Sequence, residues 1–287
     1  MRAALLAAAL TVAQMPQDSQ VFRSGIAIVE LDVSVTRGGS PVAGLTAADF
    51  SLTDNGVAQE LESVTLDQLP LSVTMVLDVS GSVSGDRLAH LTQAGEGIAG
   101  ALRPGDRAAL ITFSHVINLR VPMTGDMNTI RGGLRRLAGD GATALRDAVH
   151  LALELRTTDR SRPLVLVFTD GHDTASWLTE DAVVDTARRA GVVIHVVRSE
   201  SDGFLNRIVD VSGGRSWSAT SDRQLQELFS HALDEMRARY LLTYTPRGVK
   251  APGWHELKVK MKKQKADVTA RPGYFVAEAS SAPSRPR

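Results

Sequence analysis

The stretch Val73-Thr74-Met75-Val76-Leu77-Asp78-Val79-Ser80-Gly81-Ser82 decides how the rest of the chain is read. It opens as a largely apolar run, rich in β-branched residues and without a helical polar face. It ends in an acid and two hydroxyls. Such a run reads as a buried strand of a parallel sheet, and ligands gather at the carboxyl ends of these strands. Asp78, Ser80 and Ser82 alternate along a tight turn there, so their oxygens can converge on one hard cation. A carboxylate with neutral hydroxyls suits Mg2+, which prefers oxygen and keeps some waters. On these three residues alone, a plain turn or helix N-cap is the more ordinary explanation.

Downstream, the same grammar repeats. Arg87 to Leu102 is amphipathic and stops at Arg103-Pro104-Gly105. Strands are expected over Arg107–Phe113, Ile117–Val121, Leu164–Phe168 and Val192–Val197. Helices are expected over Met127–Leu137, Ala144–Leu155, Thr179–Ala190 and Leu225–Tyr240. Strands separated by helices argue for a doubly wound, mostly parallel, Rossmann-like α/β sheet.

The flanks follow another pattern. Ile26 to Thr36 is extended, Arg37 to Pro41 turns, and Asp49–Asp54 leads through Asn55-Gly56 into a return strand over Val57–Thr65. Asn-Gly accepts positive φ at both turn positions. After the last helix come Leu241–Thr245, an alternating His255–Lys262, Ala266–Arg271 and Pro272-Gly273-Tyr274-Phe275. Neither flank has enough strands to bury its apolar face alone. The expected architecture is therefore an α/β domain inserted between β-rich flanks that combine into a small β-sandwich. The expected division is 24–67 for the N-terminal β segment, 68–242 for the inserted domain, 243–277 for the C-terminal β segment, and 278–287 for a disordered tail.

The 287 residues carry zero formal net charge, so composition does not favour nucleic acid or an anionic membrane. Met1-Arg2, then Ala3 to Val12, reads as a short secretory signal over residues 1–13, too short to span a bilayer. The expected location is secreted or periplasmic. There is no cysteine, hence no disulfide and no thiolate metal site. Lysine is absent before Lys250, which suggests a GC-rich bacterial genome.

Two further segments strengthen the cation reading. Gly139-Asp140-Gly141-Ala142-Thr143-Ala144-Leu145 is a glycine-rich loop opening onto a helix, with one hydroxyl in it. Asp170, in Thr169-Asp170-Gly171, lies at the end of a second strand as Asp78 does at the first. In a doubly wound sheet these ends meet on one edge, so Asp78, Ser80, Ser82, Thr143 and Asp170 can surround one ion.

With these residues assembled, the region 70–240 resembles a von Willebrand factor A domain with a metal-ion-dependent adhesion site. The matching motifs are Asp78-Val79-Ser80-Gly81-Ser82, Thr143 in Gly141-Ala142-Thr143-Ala144-Leu145, and Asp170 in Thr-Asp-Gly, in the family's order. The resemblance implies that Ser80, Ser82 and often Thr143 bind the ion directly, that Asp78 and Asp170 act largely through water, and that the sixth position takes a partner's carboxylate. The cofactor implied is Mg2+, with Mn2+ or Ca2+ as substitutes. The flanks, Val33 to Asp54 and Arg271-Pro272-Gly273-Tyr274, resemble a bacterial group of exported relatives of this domain.

Other motifs fail. Gly95-Glu96-Gly97-Ile98-Ala99-Gly100 fits a dinucleotide fingerprint but lies inside a helix, where close packing explains it. There is no nucleophile elbow, P-loop or H-E-x-x-H. His195 sits in an apolar strand and reads as a core histidine. Asp173 reads either as a group near the ion or as an exposed loop acid. The three tryptophans read as core or rim packing. The favoured function is a non-enzymatic binding or adhesion module that uses the ion to engage an acidic residue of a protein partner. The alternatives are a Mg2+-dependent hydrolase using the same cluster, against which no general base or activated nucleophile sits in the motifs, or a scaffold with a vestigial ion site.

Overall fold

A computed structural model describes residues 28–66, 69–155, 160–249 and 252–277. The expected signal (1–13), the start of the first strand at Ile26 and the expected tail (278–287) lie outside them. The chain begins with β1 (Val29–Arg37), β2 (Ser40–Pro41), β3 (Phe50–Asp54), β4 (Val57–Gln59) and β5 (Ser63–Leu66). The alternating part runs β6 (Leu71–Asp78), α1 (Asp86–Ala101), β7 (Arg107–Phe113), β8 (Ile117–Thr124), α2 (Met127–Leu134), α3 (Leu145–Glu154), β9 (Arg162–Thr169), α4 (Glu180–Ala190), β10 (Val193–Arg198), α5 (Gly203–Ser212), β11 (Ser216–Ser218) and α6 (Leu225–Arg237). The chain returns to sheet in β12 (Tyr240–Tyr244), β13 (Gly253–Met261), β14 (Asp267–Thr269) and β15 (Gly273–Val276).

The central sheet has the order β11-β10-β9-β6-β7-β8. All its pairs are parallel except β7 with β8. β6 lies inside the sheet, with Val76 facing Ile111 on one side and Val167 on the other. Every residue of β6 is buried, which is why its sequence lacks polar alternation. Val73, Met75 and Leu77 pack towards α1, α2 and α6, while Val76 joins Val149, Val184 and Ile208 of α3, α4 and α5. The domain is thus doubly wound, as expected.

Local signals set the helices. Thr179 caps α4 by accepting from the Ala182 N–H at 3.3 Å, and Gly191 ends it at φ 65°. α5 and β11 were not expected, yet α5 carries the same punctuation, with Asp202 accepting from the Leu205 N–H at its start and Gly213 at φ 68° at its end. Gly95 fits the packing explanation: a Cβ there would lie 2.7 Å from Leu134 of α2.

Both flanks build both sheets of the sandwich. One sheet runs β14-β1-β12-β5 with β2 beside β1; the other runs β15-β13-β3-β4. Leu31, Val35, Phe50, Leu52, Leu242, Tyr244 and Leu257 share its core. Asn55 (φ 47°) and Gly56 (φ 80°) make the expected hairpin turn. The last helix stops at Arg237 rather than Tyr240, because Tyr240 already pairs with Val33 and Leu66 in this sandwich. The expected division at 242/243 therefore falls inside a strand. Among the described residues no helix is long and apolar enough to cross a membrane.

Buried charges lock the two layers together. Arg162 of β9 donates to Asp32 of β1 at 2.8 Å. Glu235 of α6 faces Arg239 Nε at 2.8 Å, Arg215 Nε at 3.1 Å and His195 Nε2 at 2.7 Å. Arg215 continues to Ser34 of β1 at 3.3 Å. His195 is fully buried, and its Nδ1 accepts from the Arg215 N–H at 3.1 Å, leaving the proton on Nε2 towards Glu235. Burial pushes its pKa down, so it is a neutral core histidine.

Burial alone would push the Glu235 carboxyl up, but His195 and Arg239 outweigh it and hold the group well below the usual carboxylate range. A depressed acid stabilises the fold above the ordinary carboxylate pKa and loses that contribution as pH falls towards its own. Glu235→Gln should therefore cost about 3 kcal/mol at neutral pH, because it leaves buried cations uncompensated. In urea titrations across pH, the gap to wild type should narrow in acid; a constant gap would refute the assignment.

Candidate functional site

The site grows from the buried end of β6. Asp78 Oδ1 accepts from the Ser80 N–H at 2.9 Å, closing the turn that brings Ser80 and Ser82 back over the strand end. β9 is the parallel neighbour, and Thr169 at its end donates from Oγ1 to Asp78 Oδ2 at 2.7 Å. Ser80 Oγ lies 3.1 Å from Ser82 Oγ, and Ser82 Oγ donates to Asp170 Oδ1 at 2.8 Å. The other oxygen of Asp170 meets Arg87 Nη1 of α1 at 2.5 Å. Asp78, Ser80, Ser82 and Asp170 thus form one hydrogen-bonded shelf.

The glycine-rich loop lies directly against this shelf. The Gly81 N–H donates to Gly141 O and the Asp140 N–H to Val79 O, each at 2.9 Å. A Cβ at Gly139 would stand 2.1 Å from Val83 O, and Gly141 sits at φ +81° against His115. Thr143 is buried beside the shelf. Its N–H donates to Thr174 Oγ1 at 3.0 Å, and its carbonyl accepts from the Thr174 and Ala175 N–H groups at 2.8 and 3.1 Å. Among the described residues its hydroxyl makes no hydrogen bond to the other four candidates; its backbone bonds run to Thr174 and Ala175, and the loop meets the shelf through Gly141 and Asp140.

Asp173 is half-buried and serves the loop. It accepts from the Arg146 N–H at 3.0 Å, from Arg146 Nη2 at 2.8 Å and from Ser176 Oγ at 2.5 Å. It is not an exposed loop acid; it fixes the start of α3 to the segment after Asp170. Trp177, expected to pack in the core or its rim, is instead 94% exposed on that segment. Thr169 and Arg87 were not singled out in the sequence. Thr169 had a signal, being the residue before Asp170 on the neighbouring strand. For Arg87, nothing in the spacing shows that α1 swings back over the second strand's end.

Burial pushes the Asp78 carboxyl above the usual range; the Ser80 and Thr169 donors oppose this, and the Asp170 charge adds to it. The donor set consists of carboxylate and hydroxyl oxygens, without nitrogen or sulfur. Among the described residues no three His, Cys, Asp or Glu side chains converge. These residues fit a hard, oxygen-preferring divalent cation and suit a soft transition metal poorly. Ser82 and Gly81 are exposed, so the shelf opens to solvent.

Comparison with known proteins agrees with this architecture. Residues 73–172 match the model of the von Willebrand factor type A domain. A UPF0353 protein of Mycobacterium sp. (strain KMS) is 23% identical over 249 residues, spanning 74% of this chain and 73% of its own. A solved von Willebrand factor type A structure from Catenulispora acidiphila superposes with TM-score 0.53 at 14% identity, covering 85% of this chain and 76% of that one. Proximal thread matrix protein 1 of the mussel byssus gives TM-score 0.52 at 16% identity, covering 62% and 48%. At these identities the solved structures speak for the fold.

Two expectations follow. An acid with a raised pKa costs stability once ionised, as pH climbs from the ordinary carboxylate range through the raised value. Metal-free Asp78→Asn should therefore melt above wild type at neutral pH, with the gap closing in acid; a lower melting point at neutral pH would contradict the burial argument. Gly139→Ala removes no candidate ligand, yet should force the glycine-rich loop off Val83. Amide hydrogen exchange should show Gly81 and Asp140 losing protection, and unchanged protection would mean that the approach is dispensable.

Proposed function

We propose that Asp78, Ser80, Ser82, Thr143 and Asp170 form a metal-ion-dependent adhesion site and that the protein is a non-enzymatic binding module. The observation that carries this reading is the shelf itself: two carboxylates at neighbouring strand ends, bridged by the Ser80 and Ser82 hydroxyls, on a solvent-facing sheet edge. A bound Mg2+ would supply an electrophilic point charge, and Mn2+ or Ca2+ could take its place. The two acids provide the charge that attracts the ion, and Ser80, Ser82 and Thr143 offer neutral oxygens, so the site is not over-neutralised. A cation held this way keeps appetite for one more hard anion, and a carboxylate on a protein partner suits it. The signal expected over residues 1–13 would put the module in the periplasm or outside the cell.

The hydrolase alternative needs a base or nucleophile at this edge. Two histidines beside this edge are otherwise engaged: His115 packs on Gly141, and His172 lies 3.0 Å from Asp202 and 3.3 Å from Glu200. Neither is presented to the shelf by any hydrogen bond among the described residues, which favours binding over turnover.

Calorimetric titration of Mg2+ and Mn2+ into chelator-stripped protein tests the site. Wild type should bind, and its melting temperature should rise with metal by mass action on the folded state. Asp78→Ala should lose binding while remaining folded. Equal affinity in both proteins, or none at millimolar metal, would refute the reading. Metal-dependent turnover of generic phosphate or ester substrates would shift it to the hydrolase.

A further inference from the structure

Arg87 is the odd residue at this edge. It is the second residue of α1, where the helix dipole disfavours a cation. The α1 N-terminus also lacks a side-chain cap. Yet Arg87 Nη1 lies 2.5 Å from Asp170 Oδ2, against a carboxylate whose side chain is 1% exposed. Asp170 divides its two oxygens, one to Ser82 Oγ on the shelf and one to this guanidinium. A cation retained against a helix dipole, with a third of its side chain open to solvent, does more than fill space.

We propose that Arg87 sets the charge balance of the site, weakening the divalent ion and strengthening the anion that follows it. This rests on the adhesion-site reading. Asp78 and Asp170 with Arg87, the charged groups joined through the shelf, sum to one net negative charge before metal binds. A divalent ion converts that to one net positive charge, which a single carboxylate cancels. Without Arg87, the loaded edge would be neutral and would have little electrostatic reason to hold a carboxylate. Arg87 thus makes the site selective for a monoanionic group, with metal binding loosened so that ion and partner depend on each other. In linkage terms, the ion and the carboxylate are positively coupled, and the guanidinium enlarges that coupling.

The test uses the full chain as wild type, Arg87→Gln and Arg87→Lys. MgCl2 is titrated into chelator-stripped protein by calorimetry. Acetate is then titrated against Mn2+-loaded protein, with relaxation of the acetate methyl protons by the bound ion as the readout. R87Q should bind Mg2+ about tenfold more tightly, the scale expected for removing a unit charge a few ångströms from a divalent ion at a partly screened surface. R87Q should also bind acetate several-fold more weakly. R87K keeps the charge and should stay within about threefold of wild type on both counts. Opposite signs for metal and acetate separate a charge effect from simple loss of structure, which would weaken both. If R87Q does not fold, R87M, which retains the aliphatic stem, replaces it. R87Q binding Mg2+ no more tightly than a wild type that does bind would overturn the role of Arg87 alone, as would metal and acetate affinities moving together. A wild type blind to millimolar Mg2+ would remove the adhesion-site reading and this inference with it.

Discussion

A carboxylate that cannot reach bulk water governs this molecule. β6 is flanked by two parallel neighbours and covered by helices on both faces, so the acid at its end is fully buried. Burying a charge without donors is costly, and the surrounding structure supplies them. The Ser80 N–H and the Thr169 hydroxyl take one oxygen each. A second carboxylate, Asp170, is then brought to the same edge, and the next element, α1, delivers Arg87 to it. The two donors offset the charge of Asp78 and the guanidinium offsets that of Asp170, and the outcome is a polar shelf at the end of a largely apolar strand.

The sandwich is attached to that sheet by charge. Apolar packing holds each layer, but Asp32–Arg162 and the Glu235 cluster span the junction. Arg239 is fully buried and donates to Gly213 O at 2.6 Å as well as to Glu235. Buried pairs of this kind contribute modestly to net stability but punish any arrangement that separates them. They fix an orientation. Within the sandwich, Asp54 plays a similar part, accepting from Tyr244 and Tyr274 at 2.9 and 2.8 Å.

The sequence made the architecture readable wherever periodicity was strong. The largely apolar runs at β6, β9 and β10 read as interior strands, and Thr179 with Gly191 punctuated α4. The site was readable because its chemistry is local: Asp78, Ser80 and Ser82 sit within five positions, and Asp170 marks a second strand end. Less visible was what depends on the path between elements. α5 hid behind a short, weakly polar segment, although Asp202 and Gly213 marked its ends. The close of α6 was overrun because Tyr240 suits a helix as well as a strand, and only its partners Val33 and Leu66 decide the matter. Arg87 looked like an ordinary helix residue, since its partner lies 83 positions away.

The interleaving of the flanks also bears on how the chain reaches its native state. Every sheet of the sandwich needs strands from both ends of the sequence; the Leu45 N–H meets the Tyr240 hydroxyl across 195 residues. The N-terminal strands therefore emerge during synthesis with only the short β1–β2 and β3–β4 pairings available to them, and their apolar faces stay uncovered until the whole intervening domain has been made. The intervening domain relies on nearer contacts and has reason to fold first. Once folded, it holds its two ends close together, which lowers the loop-closure entropy of joining β1 to β12. The inserted domain is thus a template for the sandwich around it. Until the last strand arrives, unpaired edges such as β1 are the part of the molecule most open to mispairing between chains.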